Sequence, residues 1–146
     1  MIQRDFILKE IEKVGVIISN IYQKFLGGKD NSAITIEKQI ENIKMLLLNE
    51  ISFDLDKYLI LGCEESKEYL STFVGFNVDN IELLADLLFH TVIDCNFSDS
   101  NLYIEKTLQL YNFCNLMSKT FSLEREAKII KIKERLQVLN VKDNQL

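Results

Sequence analysis

Apolar side chains recur at steps of three and four residues through almost the whole chain, and no proline interrupts them. The first run is the clearest: Ile7, Ile11, Val14, Ile18, Ile21 and Phe25 alternate steps of four and three. That spacing lines six side chains along one stripe of an α-helix, which must pack against another apolar surface. The pattern predicts a helix from about Gln3 to Leu26. Gly27 and Gly28 would close it, because glycine takes the left-handed conformation without a Cβ clash. Asn31 and Ser32 offer an N-cap for a second helix from about Ala33 to Asn49, with Ile36, Ile40, Ile43 and Leu47 on one stripe. A connection this short between two long helices predicts an antiparallel hairpin.

The stretch from Ser52 to Phe76 is less regular. Ser52 or Asp54 can cap a short helix through Leu55, Tyr58 and Leu59, ended by Gly62. A further helix from about Glu64 to Val74 turns Tyr69, Leu70, Phe73 and Val74 inward, with Gly75 closing it. Asp79 and Glu82 fit a capping box for a helix over Ile81 to Asp94. That helix is apolar on most sides, the mark of a central position. Ser98 is placed to cap a helix over about Ser100 to Lys119, and Ser122 to cap the last one, which runs to about Asn140. The inward stripe of the last helix reads Leu123, Ala127, Ile130 and either Ile129 or Ile132, then Leu136 and Leu139. No linker rich in Pro, Gly or Ser divides the chain, so residues 1–141 read as one domain and 142–146 as a frayed polar tail.

Composition narrows the picture. The 146 residues are 47% hydrophobic and 27% charged, ordinary for a globular domain and unlike a disordered one. A net charge of −5 disfavours nucleic acid as a partner. Cys63, Cys95 and Cys114 are odd in number and form no C-x-x-C pair, which fits buried free thiols in a reducing cytoplasm. The charges of the first helix break any secretory leader. Its longest uncharged stretch, Val14 to Gln23, is far short of the ~20 residues that span a bilayer.

Residues 81–114 resemble one degenerate tetratricopeptide-type helix pair. Leu84, Leu87 and Leu88 hold the first-helix positions, and Ser100, Tyr103 or Ile104, Thr107 and Leu108 those of the second. Leu88 stands where that family has glycine, its terminal proline is missing, and no second copy follows at a 34-residue period. Through "MIQRDFIL", "LADLLF" and "LYIEKTLQLY", the chain also resembles an uncharacterised bacterial family of tetratricopeptide-like all-helical proteins. The resemblance implies an all-α fold of antiparallel helix hairpins, packed as a tetratricopeptide-like right-handed bundle of about six to seven helices. It supplies no activity and no site residues.

Candidate chemistry is sparse. His90, the single histidine, has Asp86 and Asp94 one turn away on either side, a line that could bind a divalent metal or poise the imidazole as a base. A surface histidine flanked by solvated carboxylates explains the same residues. Glu64 and Glu65 sit in an opening helix turn, which the helix dipole favours, and Asp54 and Asp56 flank the short helix. Gly27-Gly28-Lys29 lacks the strand that precedes a phosphate loop. Arg125, Lys128, Lys131, Lys133 and Arg135 give the last helix a basic side, read as a solvated face because Glu124, Glu126 and Glu134 intersperse it.

No catalytic, cofactor or metal site is therefore assigned. The sequence points to a non-enzymatic cytoplasmic interaction or scaffold protein, with a small hydrolytic or metal-binding enzyme built on His90, Asp86 and Asp94 as the alternative. The stripe of the first helix is either core or, since its 3.5-residue period runs for about three heptads, the seam of a homodimer, which is the expected partner arrangement.

Overall fold

A computed structural model describes residues 2–26 and 34–144, with side chains over 3–25 and 34–137. Seven α-helices and no strand occur among them: α1 (Ile2–Leu26), α2 (Ile36–Ile51), α3 (Leu55–Ile60), α4 (Cys63–Ser71), α5 (Val78–Val92), α6 (Ser100–Ser118) and α7 (Leu123–Asn144). The all-α class and the number of helices are as the periodicity predicts.

α5 is the axis of the fold. Ile81, Leu84, Ala85, Leu87, Leu88, Phe89 and Val92 bury three of its sides. Each large side chain taken fully from water contributes about 1.5–3 kcal/mol. α1 lies along one side of α5 and runs parallel to it, since the Asn80 amide donates to the carbonyl of Ile11 and the Tyr22 ring meets His90. α6 returns antiparallel, carrying Tyr111 to Asp86 and Cys114 to the start of α5. α7 is parallel to α5 again, with Arg125 at Glu82 near one end and Arg135 at the carbonyls of Val92 and Ile93 at the other.

Close approach of α1 to α5 depends on two glycines. A Cβ on Gly15 would stand 2.9 Å from Asn80 Oδ1, and one on Gly75 2.7 Å from the carbonyl oxygen of Glu10. In the space they leave, the buried Asn80 side chain donates to both Ile11 O (2.8 Å) and Gly75 O (2.7 Å), which ties three segments with one amide. At the far side Phe53 is enclosed by Tyr58, Tyr69, Phe73 and Phe76, with ring centroids 5.4–5.5 Å away.

Several expectations need correction. The α1 stripe divides: Val14, Ile18, Ile21 and Phe25 are core, whereas Ile7 is 41% exposed. α2 begins three residues later than expected, because the Thr35 hydroxyl accepts from Lys38 N–H and sets the start. Asn31, Ser32 and the Gly27-Gly28 cap lie outside the described residues. Ser52 closes α2 in the left-handed conformation (φ 59°), and Asp54 caps α3. α4 stops at Ser71, leaving Val74 in an exposed loop. α5 is capped by Asn77, which accepts from Asn80 N–H; the Asp79–Glu82 capping box does not form, and Glu82 is used elsewhere. Asp99, not Ser98, precedes α6. Ser122 caps α7 as expected, accepting from Arg125 N–H, but α7 continues to Asn144, into the stretch read as tail.

The inward face of α7 is also turned. Leu123 is 77% exposed and Ile130 and Ala127 face outward, while Ile129, Ile132 and Arg125 are buried. The true stripe starts with a charged residue, which hydrophobic pattern reading passes over.

Candidate functional site

One face of α5 is left uncovered between α1 and α7. Its floor is Asp79, Leu83, Asp86 and His90, which follow at steps of four, three and four residues on one line of the helix, with Asp94 in the turn just beyond α5. α1 walls one end and the middle, through Glu12, Val16, Ser19 and Gln23; α7 walls the middle and the other end, through Lys128 and then Glu124, Ala127 and Lys131. Three adjoining hollows make up this groove. Ser19 and Leu83 line both the first and the second, His90 and Lys128 both the second and the third, so the groove is continuous.

His90 stands at its middle. The imidazole meets the ring edges of Tyr22 (centroids 5.6 Å apart) and Phe89 (5.0 Å). Partial burial holds its pKa below the usual histidine range; Lys128 and Lys131 add to that effect and Asp86 opposes it. The aspartates do not converge on it. Asp86 Oδ1 accepts from Tyr111 Oη at 2.6 Å and from Lys128 Nζ at 2.8 Å. Asp94 is mostly exposed and faces Lys131 Nζ at 3.6 Å. Among the described residues no group of three or more His, Cys, Asp and Glu side chains could hold a metal. The helix line that the sequence offered as a chemical site is thus, in space, the floor of a groove.

The basic side of α7 is a set of fastenings rather than a solvated face. Arg125, 5% exposed, grips Glu82 through Nε–Oε2 (2.7 Å) and Nη2–Oε1 (3.0 Å), and Nη1 donates to Asn115 Oδ1 at 2.8 Å. The Glu82 carboxylate, within hydrogen-bond reach, raises the guanidinium's pKa further. Lys128 takes Asp86 one turn on. Arg135 donates to the carbonyls of Val92, Ile93 and Cys95, satisfying acceptors that the end of α5 leaves open. Lys131 and Lys133 remain exposed.

A second hollow of about 290 Å³ lies between α4 and α6, lined by Tyr58, Cys63, Ser66, Leu70, Leu108 and Phe113 among others. Beneath it Lys106 Nζ donates to Leu61 O (2.6 Å), Ser66 Oγ (2.5 Å) and Gln109 Oε1 (3.1 Å) and sits over the Tyr58 ring. Burial lowers its pKa, but three acceptors match the three N–H bonds of an ammonium, so it fastens the α3–α4 turn to α6. Nothing in the pattern marks Lys106, since a lone lysine on a mixed helix reads as exposed. Cys114 is buried, its thiol pushed up to about 12 by desolvation, while Cys63 is exposed, against the expectation for all three cysteines.

Compared with known proteins, the chain matches no family model, no curated protein and no solved structure. None of the helices, among the described residues, is long and apolar enough to cross a membrane.

Proposed function

We propose that this protein is a non-enzymatic interaction module that holds a segment of a partner protein in the α1–α5–α7 groove. The observation that carries the reading is the continuity of that groove along the whole uncovered face of α5. Two parallel helices flanking a third, with α6 behind, is the arrangement expected of a tetratricopeptide-like core, where the first helices of successive pairs line a concave binding face. The floor is pre-formed: the buried Arg125 at Glu82, the part-buried Lys128–Asp86 pair and Arg135 at the end of α5 fix the α7 wall, so little ordering cost remains for a ligand to meet. The exposed free thiol of Cys63 suits a reducing cytoplasm as the place of action.

Ser19 lines two of the three hollows and is exposed, so Ser19→Trp fills the groove without entering the core. Tagged wild-type and Ser19→Trp chains, recovered from cells and compared by mass spectrometry, test the reading. Proteins held by the wild type and lost from the variant support it; identical recoveries from two folded chains overturn it.

A second reading rests on a different observation. Phe6 (56% exposed), Ile7 and Leu8 (55%) leave an apolar cluster on the first turns of α1, beyond the part that the core covers. A second copy of the chain covering those turns would give a homodimer through the N-terminal helix. Light scattering of the wild type and of Ile7→Asp tests it: a dimer converted to monomer supports self-association, and a wild-type monomer at high concentration ends it.

A further inference from the structure

The groove has a sign. Five carboxylates line it (Glu12, Asp79, Asp86, Asp94 and Glu124) against two lysines and an imidazole whose pKa is lowered. The imbalance is local. Asp86 is neutralised by Lys128, and Asp94 is faced by Lys131. At the end formed by the start of α5, Glu12 and Asp79 line the same hollow with Asn20 and Asn77, and among the described residues no cationic side chain lines it. Beside these acceptors lie apolar Ile11, Val16 and Leu83, of which Val16 is half exposed.

We infer that the groove takes a short cationic segment of a partner protein, in which a lysine or arginine reaches Glu12 and Asp79 and a neighbouring apolar side chain rests on Val16 and Leu83. This rests on the interaction reading above and names the chemistry of the occupant. From Asp79 to Asp94 the floor is about 22 Å long at 1.5 Å per helical residue. An extended segment at about 3.3 Å per residue fills it with about seven residues. Among the described residues no lysine or arginine forms an ion pair with Glu12 or Asp79. Charge complementarity there therefore selects the sign of the ligand, while the apolar shelf supplies contact area. An acidic segment would meet Glu12 and Asp79 head-on and leave both unmatched.

The probes are fluorescein-labelled heptapeptides that alternate leucine with lysine, with glutamate or with glutamine, followed by fluorescence anisotropy. The lysine peptide is expected to bind about tenfold or more tightly than the other two, with affinity falling as salt rises. Glu12→Gln with Asp79→Asn should remove that preference, and Ser19→Trp should remove binding altogether. If the lysine peptide binds Ser19→Trp or the neutralised variant as well as the wild type, its attraction is to the acidic surface at large and the inference falls. If the glutamine or glutamate peptide binds best and Ser19→Trp abolishes it, the groove reading stands and its cationic preference is overturned. No binding of any peptide also overturns the preference, while the recovery comparison with Ser19→Trp still judges the groove itself.

Discussion

Arg125 and Glu82 form a bidentate ion pair across α7 and α5, with the guanidinium almost fully removed from water. Breaking one side of such a pair leaves a charge buried without a partner, whereas replacing both sides with apolar groups removes the problem. Arg125→Met leaves the part-exposed Glu82 unpaired and should cost about 1–3 kcal/mol in urea unfolding. Glu82→Leu combined with Arg125→Met should recover most of that loss. A double variant as unstable as the single one would show that packing of the arginine stem, not charge, holds α7 in place.

Gly75 is required by geometry rather than by a special backbone angle. Its Cβ position points at the backbone carbonyl of Glu10, which cannot rotate away as a flexible side-chain end can. Gly75→Ala should destabilise by about 1–3 kcal/mol, the usual cost of overpacking. Thermal unfolding measures it, and a Tm equal to that of wild type would mean that α1 moves off α5 freely.

The α1 stripe can be dissected by the same substitution at two positions. Ile18 is 1% exposed, so Ile18→Asp buries an unpaired carboxylate and should leave the chain unfolded by circular dichroism. Ile7→Asp, three turns earlier and at a half-exposed position, should leave helicity and the urea midpoint close to wild type. Equal damage from both would mean that the first turns are core as well.

His90 offers a pH test with one resonance to follow. Its imidazole should titrate below 6.5 in the folded protein, because burial and Lys128 disfavour the charged ring. The unfolded chain then binds that proton more tightly. The contribution to stability is complete above about pH 6.5 and is lost as pH falls toward the folded value. Lys128→Met removes a nearby positive charge and leaves Asp86 as a stronger counter-charge, so the midpoint should rise. A fall in the midpoint would mean that Asp86 leaves the ring when Lys128 is gone.

Much of this architecture was legible before any coordinates. Period three-and-four spacing located every helix, and the all-round apolar character of the α5 segment marked it as central. What could not be read was anything held by a polar side chain crossing between distant segments. Arg125, Lys128 and Arg135 look solvated in sequence, because the acceptors they meet lie some forty residues earlier: 43 for Glu82 and 42 for Asp86. Glu82 fits a capping box locally and is drawn away by a tertiary partner. The groove did leave a trace. Asp79, Leu83, Asp86 and His90 form a mixed, mostly polar line on a largely apolar helix, and Asp94 follows just beyond its end. Its walls come from α1 and α7, and no local pattern says that those helices stop short of covering it.

The clamp of α7 on α5 also orders events in time. Glu82, Asp86 and the carbonyls ending α5 are synthesised well before the cations that satisfy them. Until Arg125 to Arg135 arrive, a nascent chain holds a central helix whose anionic edge repels itself and whose last turn is open. The groove cannot have two walls in that interval. A partner segment that touched both walls would have to wait for the final helix, so a groove of this shape comes into being only when the fold is closed.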